Sequence, residues 1–404
     1  VSAALPKALR ALGHGVTVIL PRFPSLEAQG LLLARRLTPL KAAVGARAFE
    51  ATLFDGRLAS QVDLVAVEVA GLFDRAGVYG ERGEDYPDNA LRFAVFSSVV
   101  AQLVRERVAG GRPVDAVHCN DWPTALVPAY LRAAGAPGVE APLSTPRTVL
   151  TIHNAAYQGA FSADQLSASG LDAGALGAAP SGAAGGVNFL ERGIATADVV
   201  ATVSPGYARE IQTPGHGGGL DAALRARGGS LVGITNGVDY SVWNPATDAA
   251  LASRYDAEDL TNRARCKGAL QKELGLSIDA QAPIVASVGR MVEQKGTDLV
   301  AAMMPKLLRA SEAQIIIAGD GDAALVSAIE GAVAKSNGRA AFARAASEDL
   351  IHRIFAGADV VLVPSRDEPC GLVQMYAQRY GALPVARATG GLLDTIVDCD
   401  AKLE

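Results

Sequence analysis

The chain has 404 residues, of which 50% are hydrophobic and 20% charged, and its formal net charge is −5. This length predicts two domains, and this composition is typical of a globular α/β protein and excludes a disordered one. No run of Lys and Arg supplies the basic face that a nucleic acid requires, so no nucleic-acid partner is expected. No apolar run reaches the ~20 residues that span a bilayer, so no membrane association is expected.

The four cysteines, Cys119, Cys266, Cys370 and Cys399, lie far apart and form no CxxC pair. This spacing indicates neither a disulfide framework nor a zinc site. Reduced thiols in a cytoplasmic protein are the expectation. The oligomeric state has no signal in the sequence.

The first half of the chain alternates helical and strand-like patterns. Leu5, Leu9 and Leu12 have helical spacing and precede a buried strand at 16–20. Further along, the patterns predict a strand at 63–69, a helix at 90–109, a strand at 116–119, a helix at 122–134, strands at 147–153 and 198–204, and a helix from Pro205. Residues 170–187 are rich in Gly, Ala and Ser and predict a surface excursion.

A turn-rich segment, 236–245, predicts the domain boundary, with an N-terminal domain of residues 1–238 and a C-terminal domain of residues 239–404. Beyond it the alternation of strands and helices restarts. The predicted strands are 283–288, 314–318, 359–363 and 383–387. Two successive arrays of this kind predict an α/β fold of two doubly wound domains that face a cleft.

Two loops of the second array follow predicted strands and carry chemically distinctive residues. The first contains Glu368, Cys370 and Gly371, and the second contains Gly390 and Gly391. In a doubly wound sheet such loops emerge where ligands bind. A carboxylate binds sugar hydroxyls, and bare glycine amides at a helix start bind phosphate. The two loops together predict a site for a nucleotide sugar.

Arg290 and Lys295 lie in another loop that follows a predicted strand. Two cations on one such loop are suited to a single anion, and the departure of a diphosphate requires that neutralisation. The alternative is a pair of solvated cations on an ordinary loop.

His153 and Asp121 each follow a strand of the first array. The position at the carboxyl end of a strand favours a functional role for His153, whereas a lone histidine is more often structural. Asp121 is equally suited to capping the helix that Trp122 begins. Both alternatives stay open on these residues alone.

Residues 319–324 fit a loose G-x-G-x-x-A pattern after a strand. This pattern is the signal for a rival function, an NAD-dependent oxidoreductase. It lies in the second array and not in the opening βαβ unit, which weakens the signal.

Taken together, the motifs resemble those of bacterial glycogen synthases and plant starch synthases along nearly the whole chain. The matching segments are His118 to Trp122, Thr151 to Asn154, Tyr157 to Gly159, Ala197 to Asp198, Thr202 to Pro205, Asn236 to Asp239, Trp243 to Pro245, Gly289 to Arg290, Gln294 to Gly296, Pro364 to Arg366, Glu368 to Leu372, Arg379 to Gly381, and Thr389 to Leu392. Their order and spacing are those of the family.

The resemblance implies the GT-B fold, two Rossmann-like domains with ADP-glucose in a deep interdomain cleft. It implies that Arg290 and Lys295 hold the diphosphate. It implies that Thr389, Gly390 and Gly391 add contacts with the diphosphate, and that Glu368, Cys370 and Gly371 contact glucose hydroxyls, with Leu372 as a further binding residue of the same segment. It also implies that His153 lies beside the sugar, with Asp121 and Asn236 nearby. Tyr376 stands where many related retaining transferases carry a second glutamate, and tyrosine is usual there in this family.

The implied activity is retaining transfer of glucose from ADP-glucose to the nonreducing end of an α-1,4-glucan, either glycogen or a maltooligosaccharide. No metal or other cofactor is expected, and UDP-glucose is the alternative donor. The family begins with a strand and a Lys-x-Gly-Gly-Leu loop, and it continues past the segment that matches the end of this chain. A catalytically incompetent fragment that binds nucleotide and glucan is therefore an alternative function.

Overall fold

The structure is a computed structural model that describes residues 3–28, 30–58, 60–81, 83–133, 146–171, 174, 176 and 185–399. Contacts divide the chain into two compact units. The first comprises Val1–Thr202 and Arg209–Val232, and the second comprises Val203–Ala208 and Gly233–Glu404. The domain limits 1–238 and 239–404 stay a prediction.

The strands up to residue 233 are β1 (Thr17–Pro21), β2 (Ala34–Arg35), β3 (Leu40–Val44), β4 (Arg47–Arg57), β5 (Asp63–Glu68), β6 (Gly80–Glu81), β7 (Glu84–Asp85), β8 (Ala116–Asn120), β9 (Arg147–Ile152), β10 (Ala160–Phe161), β11 (Val187–Asn188), β12 (Val199–Thr202) and β13 (Leu231–Gly233). One sheet has the order β1-β5-β4-β2, with β3 paired to β4. A second sheet has the order β13-β12-β9-β8, in which β12, β9 and β8 run parallel. The parallel strands β8 and β9 end next to the predicted site residues.

The helices of this part are α1 (Ala4–Ala11), α2 (Pro24–Ala28), α3 (Asn89–Ala109), α4 (Val127–Arg132), α5 (Ala163–Ala168), α6 (Phe189–Thr196), α7 (Pro205–Glu210) and α8 (Asp221–Arg225), with short 3-10 helices at Trp122–Thr124 and Gly228–Ser230. Helix α3 confirms the prediction for 90–109, and its residues are buried over most of its length. The predicted excursion at 170–187 lies largely outside the described residues.

The prediction of a single helix at 122–134 is wrong. The chain instead makes the 3-10 helix Trp122–Thr124 and then α4, which begins at Val127. Pro123 and Pro128 explain the interruption, because proline has no N–H to donate and is tolerated only in the first turn of a helix. Ala134 lies outside the described residues.

The remaining strands are β14 (Ile284–Val288), β15 (Gln314–Gly319), β16 (Ala340–Arg344), β17 (Val360–Val363) and β18 (Leu383–Ala386), and the remaining helices are α9 (Arg263–Glu273), α10 (Thr297–Ala310), α11 (Ala323–Ala334), α12 (Glu348–Gly357), α13 (Val373–Arg379) and α14 (Leu392–Thr395), with a 3-10 helix at Glu293–Lys295. Four of these strands confirm the four predicted from the sequence. The sheet is parallel throughout, in the order β16-β15-β14-β17-β18.

The strand order of this sheet reverses between β14 and β17. The chain builds outward from β14 to β16 on one side and then from β17 to β18 on the other. The loops that follow β14 and β17 therefore leave in opposite directions and open a crevice at the carboxyl edge, which is where ligands bind in such sheets.

None of the helices in the described ranges is long and apolar enough to cross a membrane.

Candidate active site

A pocket opens at the point of the second unit where the strand order reverses. Its lining comes from two segments, residues 287–297 at the end of β14 and in the loop after it, and residues 362–373 at the end of β17 and in the loop after it. The charged residues of that lining are Arg290, Lys295 and Glu368. The structure thus brings together the two cations of one predicted loop and the carboxylate of another. Two cations against one carboxylate leave the pocket with a net positive charge, which suits an anionic ligand.

Glu368 is the buried charge of this pocket, with 6% of its surface exposed. Its Oε2 accepts a hydrogen bond from Lys295 Nζ at 2.5 Å and another from Ser365 Oγ at 2.9 Å. A buried carboxylate persists only when it is paired and hydrogen-bonded, and these two donors meet that requirement. The ion pair joins a residue predicted to bind sugar to one predicted to bind diphosphate.

Gly296 sets the position of Lys295 next to β17. Its φ of +68° is in the left-handed region that favours glycine. A Cβ at Gly296 would lie 2.3 Å from the carbonyl oxygen of Pro364, so only glycine allows the two loops to approach this closely. The backbone N–H of Arg366 also donates to the carbonyl of Gln294 at 2.8 Å. The two loops of the pocket are therefore fixed to each other through their backbones.

Cys370, two residues after Glu368, is hydrogen-bonded with Asn236. The Cys370 thiol is buried, and burial raises its pKa, although hydrogen bonding with Asn236 partly offsets the effect. The thiol is therefore a neutral polar group. Gly371 follows with a φ of +74°, and Leu372 precedes the first residue of α13.

The amide of Gly391 is not bare, which corrects the expectation from the sequence. Its N–H donates to the carbonyl of Glu368 at 3.0 Å. A Cβ at Gly391 would lie 2.3 Å from Cys370 Cα, so this glycine allows close packing of its loop against the Glu368 turn. Contact between the Gly391 amide and a phosphate requires that this hydrogen bond break. Thr389 and Gly390 are buried beside it.

In the first unit, His153 and Asp121 lie side by side at the ends of β9 and β8. The backbone N–H of His153 donates to Asp121 Oδ1 at 2.7 Å, and the His153 ring Nε2 lies 2.9 Å from Asn120 Oδ1. Because a carbonyl oxygen can only accept, Nε2 carries the proton in this arrangement. Burial lowers the pKa of His153, so its imidazole is neutral at pH 7.

Asp121 does not cap the helix that follows it. No side-chain cap bond forms, and its φ of 54° is in the left-handed region, which is uncommon for residues other than glycine. Its carboxylate instead accepts backbone N–H bonds from His153 and Asn154. Burial raises the pKa of Asp121 to about 6, and those two bonds oppose the rise. The strained backbone orients the carboxylate toward the end of β9.

Comparison with known proteins decides the family. Residues 1–226 match the family model described as "Starch synthase catalytic domain", and residues 282–403 match the one described as "Glycosyl transferases group 1". A glycogen synthase from Anaeromyxobacter sp. (strain Fw109-5) is 46% identical over 401 residues, which are 99% of this chain and 82% of that protein.

The chain belongs to the glycogen synthase and starch synthase family.

A second relative, a glycogen synthase from Aromatoleum aromaticum, is 44% identical over 98% of the chain and 79% of its own length. Among solved structures, the catalytic domain of starch synthase IV from Arabidopsis thaliana, bound to ADP and acarbose, superposes with a TM-score of 0.86 at 33% identity and covers 99% of this chain and 81% of its own. These likenesses confirm the predicted resemblance and the GT-B fold class. A sucrose-phosphate synthase from Thermosynechococcus elongatus, at 20% identity and a TM-score of 0.55, shares the fold.

Tyr376 is a packing residue in the structure. Its ring stacks on Trp243 with centroids 3.8 Å apart and planes 11° apart, and His352 stacks on the other face of Trp243 at 4.0 Å. The tyrosine therefore anchors α13, which follows the Glu368 turn, to the segment after the predicted boundary.

The glycine pattern at 319–324 has a structural explanation that involves no dinucleotide. A Cβ at Gly319 would lie 1.8 Å from the carbonyl oxygen of Gly289, and one at Gly321 would lie 2.5 Å from that of Met291. Asp322 caps α11 by accepting from the N–H groups of Ala324 and Leu325. The pattern thus packs its loop against the Arg290 loop, and family membership leaves the oxidoreductase alternative without support.

Three residues near the sites had no role predicted from the sequence. Ser365 binds Glu368 as described above, and Gln374 Nε2 donates to the carbonyls of Cys370 and Gly371 at 2.7 and 3.0 Å. The ring of Tyr79 lies 5.6 Å from that of Trp122, and burial and then the charge of Asp121 raise its pKa. Only Ser365 had a usable signal, since it lies three residues before Glu368 in the same strand-end loop.

Proposed function

We propose that the chain transfers glucose from ADP-glucose, with retention at the anomeric carbon, to the nonreducing 4-hydroxyl of an α-1,4-glucan. The observation that carries the proposal is the convergence of Arg290, Lys295 and Glu368 on one pocket at the reversal point of the parallel sheet. Membership of the glycogen synthase and starch synthase family supplies the reaction class. The starch synthase relative bound to ADP and acarbose supports a nucleotide-sugar donor and a glucan acceptor.

The departure of ADP is the step for which the pocket is best suited. The bond between glucose C1 and the β-phosphate oxygen breaks, and Arg290 and Lys295 stabilise the negative charge that develops on that oxygen. The acceptor oxygen O4 forms the new bond to C1 on the same face, and its proton passes to the departing phosphate. Two cations supply the neutralisation, so we propose that the reaction requires no metal ion.

Glu368 has three hydrogen-bond partners around this pocket. Its carboxylate lies against Lys295 and Ser365, and its backbone carbonyl accepts from Gly391. We propose that the carboxylate binds glucose hydroxyls and stabilises the positive charge at C1, with Cys370 and Gly371 completing the sugar contacts. In the first unit, we propose that the neutral imidazole of His153 and the carboxylate of Asp121 contribute hydrogen bonds to the transferred sugar.

The deciding experiment mixes the protein with ADP-glucose or UDP-glucose and glycogen, and it follows both nucleotide release and growth of the polymer. Release of ADP matched by incorporation of glucose supports the proposal, and a rate unchanged by EDTA supports the absence of a metal requirement. Binding of ADP without turnover of either donor supports the incompetent-fragment alternative. A faster rate with UDP-glucose overturns the donor assignment.

A further inference from the structure

A short segment at the start of α7 contacts two loops, the one that carries Glu368 and the one that carries Gly390 and leads into α14. Residues 203–208 follow β12 and belong by their contacts to the second unit, whereas the residues on either side of them belong to the first. In sequence, Ser204 lies 165 residues before Pro369 and Gly206 lies 188 residues before Asp394. Local sequence patterns therefore do not show which loops this segment contacts.

Ser204 binds the loop that carries Glu368. Its side chain is 0% exposed, and its Oγ donates to the carbonyl of Pro369 at 2.7 Å. The same Oγ accepts a hydrogen bond from the backbone N–H of Tyr207 at 3.0 Å, so the hydroxyl is held both as a donor and as an acceptor. Pro369 lies between Glu368 and Cys370, the two residues predicted to contact glucose.

Gly206 binds the other loop. Its N–H donates to Asp394 Oδ2 on α14 at 2.6 Å, and a Cβ at Gly206 would lie 2.4 Å from the carbonyl oxygen of Gly390. The hydrogen bond from the Gly391 amide to the Glu368 carbonyl joins the two loops directly. The segment thus completes a closed set of contacts that fixes the distance between them.

We propose that Ser204 is a positioning residue, which orients the turn of residues 368–371 for the nucleotide sugar by holding the Pro369 carbonyl. The inference rests on the proposed function of that turn. Removing the hydroxyl leaves a buried carbonyl without its donor, and the turn must shift to find another. The expected result is a fall of about tenfold in kcat/KM for ADP-glucose and a similar loss of ADP affinity, with KM for glycogen unchanged within about twofold.

The test compares Ser204→Ala with Ser98→Ala. Ser98 is a matched control, because it is buried in the first unit and its Oγ donates to the carbonyl of Ala43 at the same distance of 2.7 Å. Steady-state kinetics, ADP affinity by calorimetry and thermal unfolding are measured for both. A purely structural role predicts similar losses of stability and unchanged kinetics in both variants, and that result overturns the proposal.

Gly206→Ala is the second variant and decides the matter if Ser204→Ala does not fold. Its added methyl displaces the Gly390 carbonyl, so ADP affinity should fall in the same way; wild-type affinity contradicts the proposal. If the wild type binds ADP but does not turn over ADP-glucose, the proposed function fails. The ratio of ADP affinities between wild type and Ser204→Ala then decides the positioning role by itself.

Discussion

The ammonium of Lys295 and the carboxylate of Glu368 are in direct contact, with Nζ and Oε2 separated by 2.5 Å. The sequence places them 73 residues apart in two loops and gives them different tasks. In the structure they form one ion pair, of which Glu368 is the more buried member. A diphosphate that binds Lys295 must therefore either displace Glu368 from the ammonium group or share that group with it. The pair couples binding of the phosphates to the orientation of the group assigned to the sugar.

Removal of either pocket cation should slow the reaction strongly. For Lys295→Ala and Arg290→Ala we expect kcat/KM with ADP-glucose to fall by about 10²–10³, because a preorganised charge is lost where negative charge develops. Lys306→Ala is the matched control, since Lys306 is exposed on α10. Values within about threefold of wild type for both variants would show that the diphosphate assignment is wrong.

Glu368→Gln should abolish most turnover while the fold persists. The amide oxygen can still accept from Ser365 and Lys295, so the loop keeps its hydrogen bonds, but the negative charge is gone. We expect kcat to fall by at least about 10². Circular dichroism and thermal unfolding provide the check on folding, with the exposed Glu330→Gln as control. Loss of structure in Glu368→Gln would indicate a structural role instead.

Asp121 should govern the acid limb of the pH profile. Its pKa of about 6 means that it loses its charge as the pH falls below that value, so kcat/KM should decline there. Asp121→Asn should lack this limb. Burial raises the folded-state pKa above the ordinary value of 3.8, so ionisation of Asp121 costs folding free energy as pH rises from about 4 to about 6. The asparagine variant should therefore be no less stable than wild type at pH 7 in urea unfolding. An unchanged acid limb in this variant contradicts the assignment.

Gly296→Ala should destabilise the second unit and weaken ADP binding. An alanine there adopts an unfavourable φ and its methyl collides with the Pro364 carbonyl, so we expect a loss on the order of 2–4 kcal/mol in the free energy of unfolding. Gly331→Ala is the control, because Gly331 lies within α11 and a Cβ there meets no atom within 4 Å. That change should stabilise by ~0.5–1 kcal/mol. Similar stabilities for the two variants would argue against a close approach at Gly296.

β14 and β15 were predictable because mostly buried parallel strands are continuous apolar runs. β17 and β18 are less buried, but each is still a short apolar run. β16 was missed, since Ala340–Arg344 contains three alanines and no β-branched residue. The antiparallel strands β2, β3 and β4 were missed as well. In β4 most residues are exposed or half-buried, so its pattern lacks a continuous apolar face.

The places of the candidate site residues in the fold were predictable where a strand ends in a polar or glycine-containing motif, because the topology of the sheet brings such ends together. Their mutual contacts were not. The hydrogen bond from Gly391 to Glu368 and the backbone contact between Gly296 and Pro364 depend on how two loops pack, and single-residue preferences do not encode that. The positive φ of Asp121 was likewise not predictable from the sequence, since an aspartate at that position is equally typical of a helix N-cap.

The passage of residues 203–208 into the second unit bears on how members of this family can be recombined. A chimaera joined at Val232 would take Ser204 from one parent and Pro369 from the other. Sequence differences between the parents near either residue could then disrupt the hydrogen bond between them. A crossover placed before Val203 inherits the segment and both loops from the same parent. Libraries of hybrid enzymes should therefore retain more members with intact nucleotide binding when the junction lies between β12 and Val203 than when it lies at Val232.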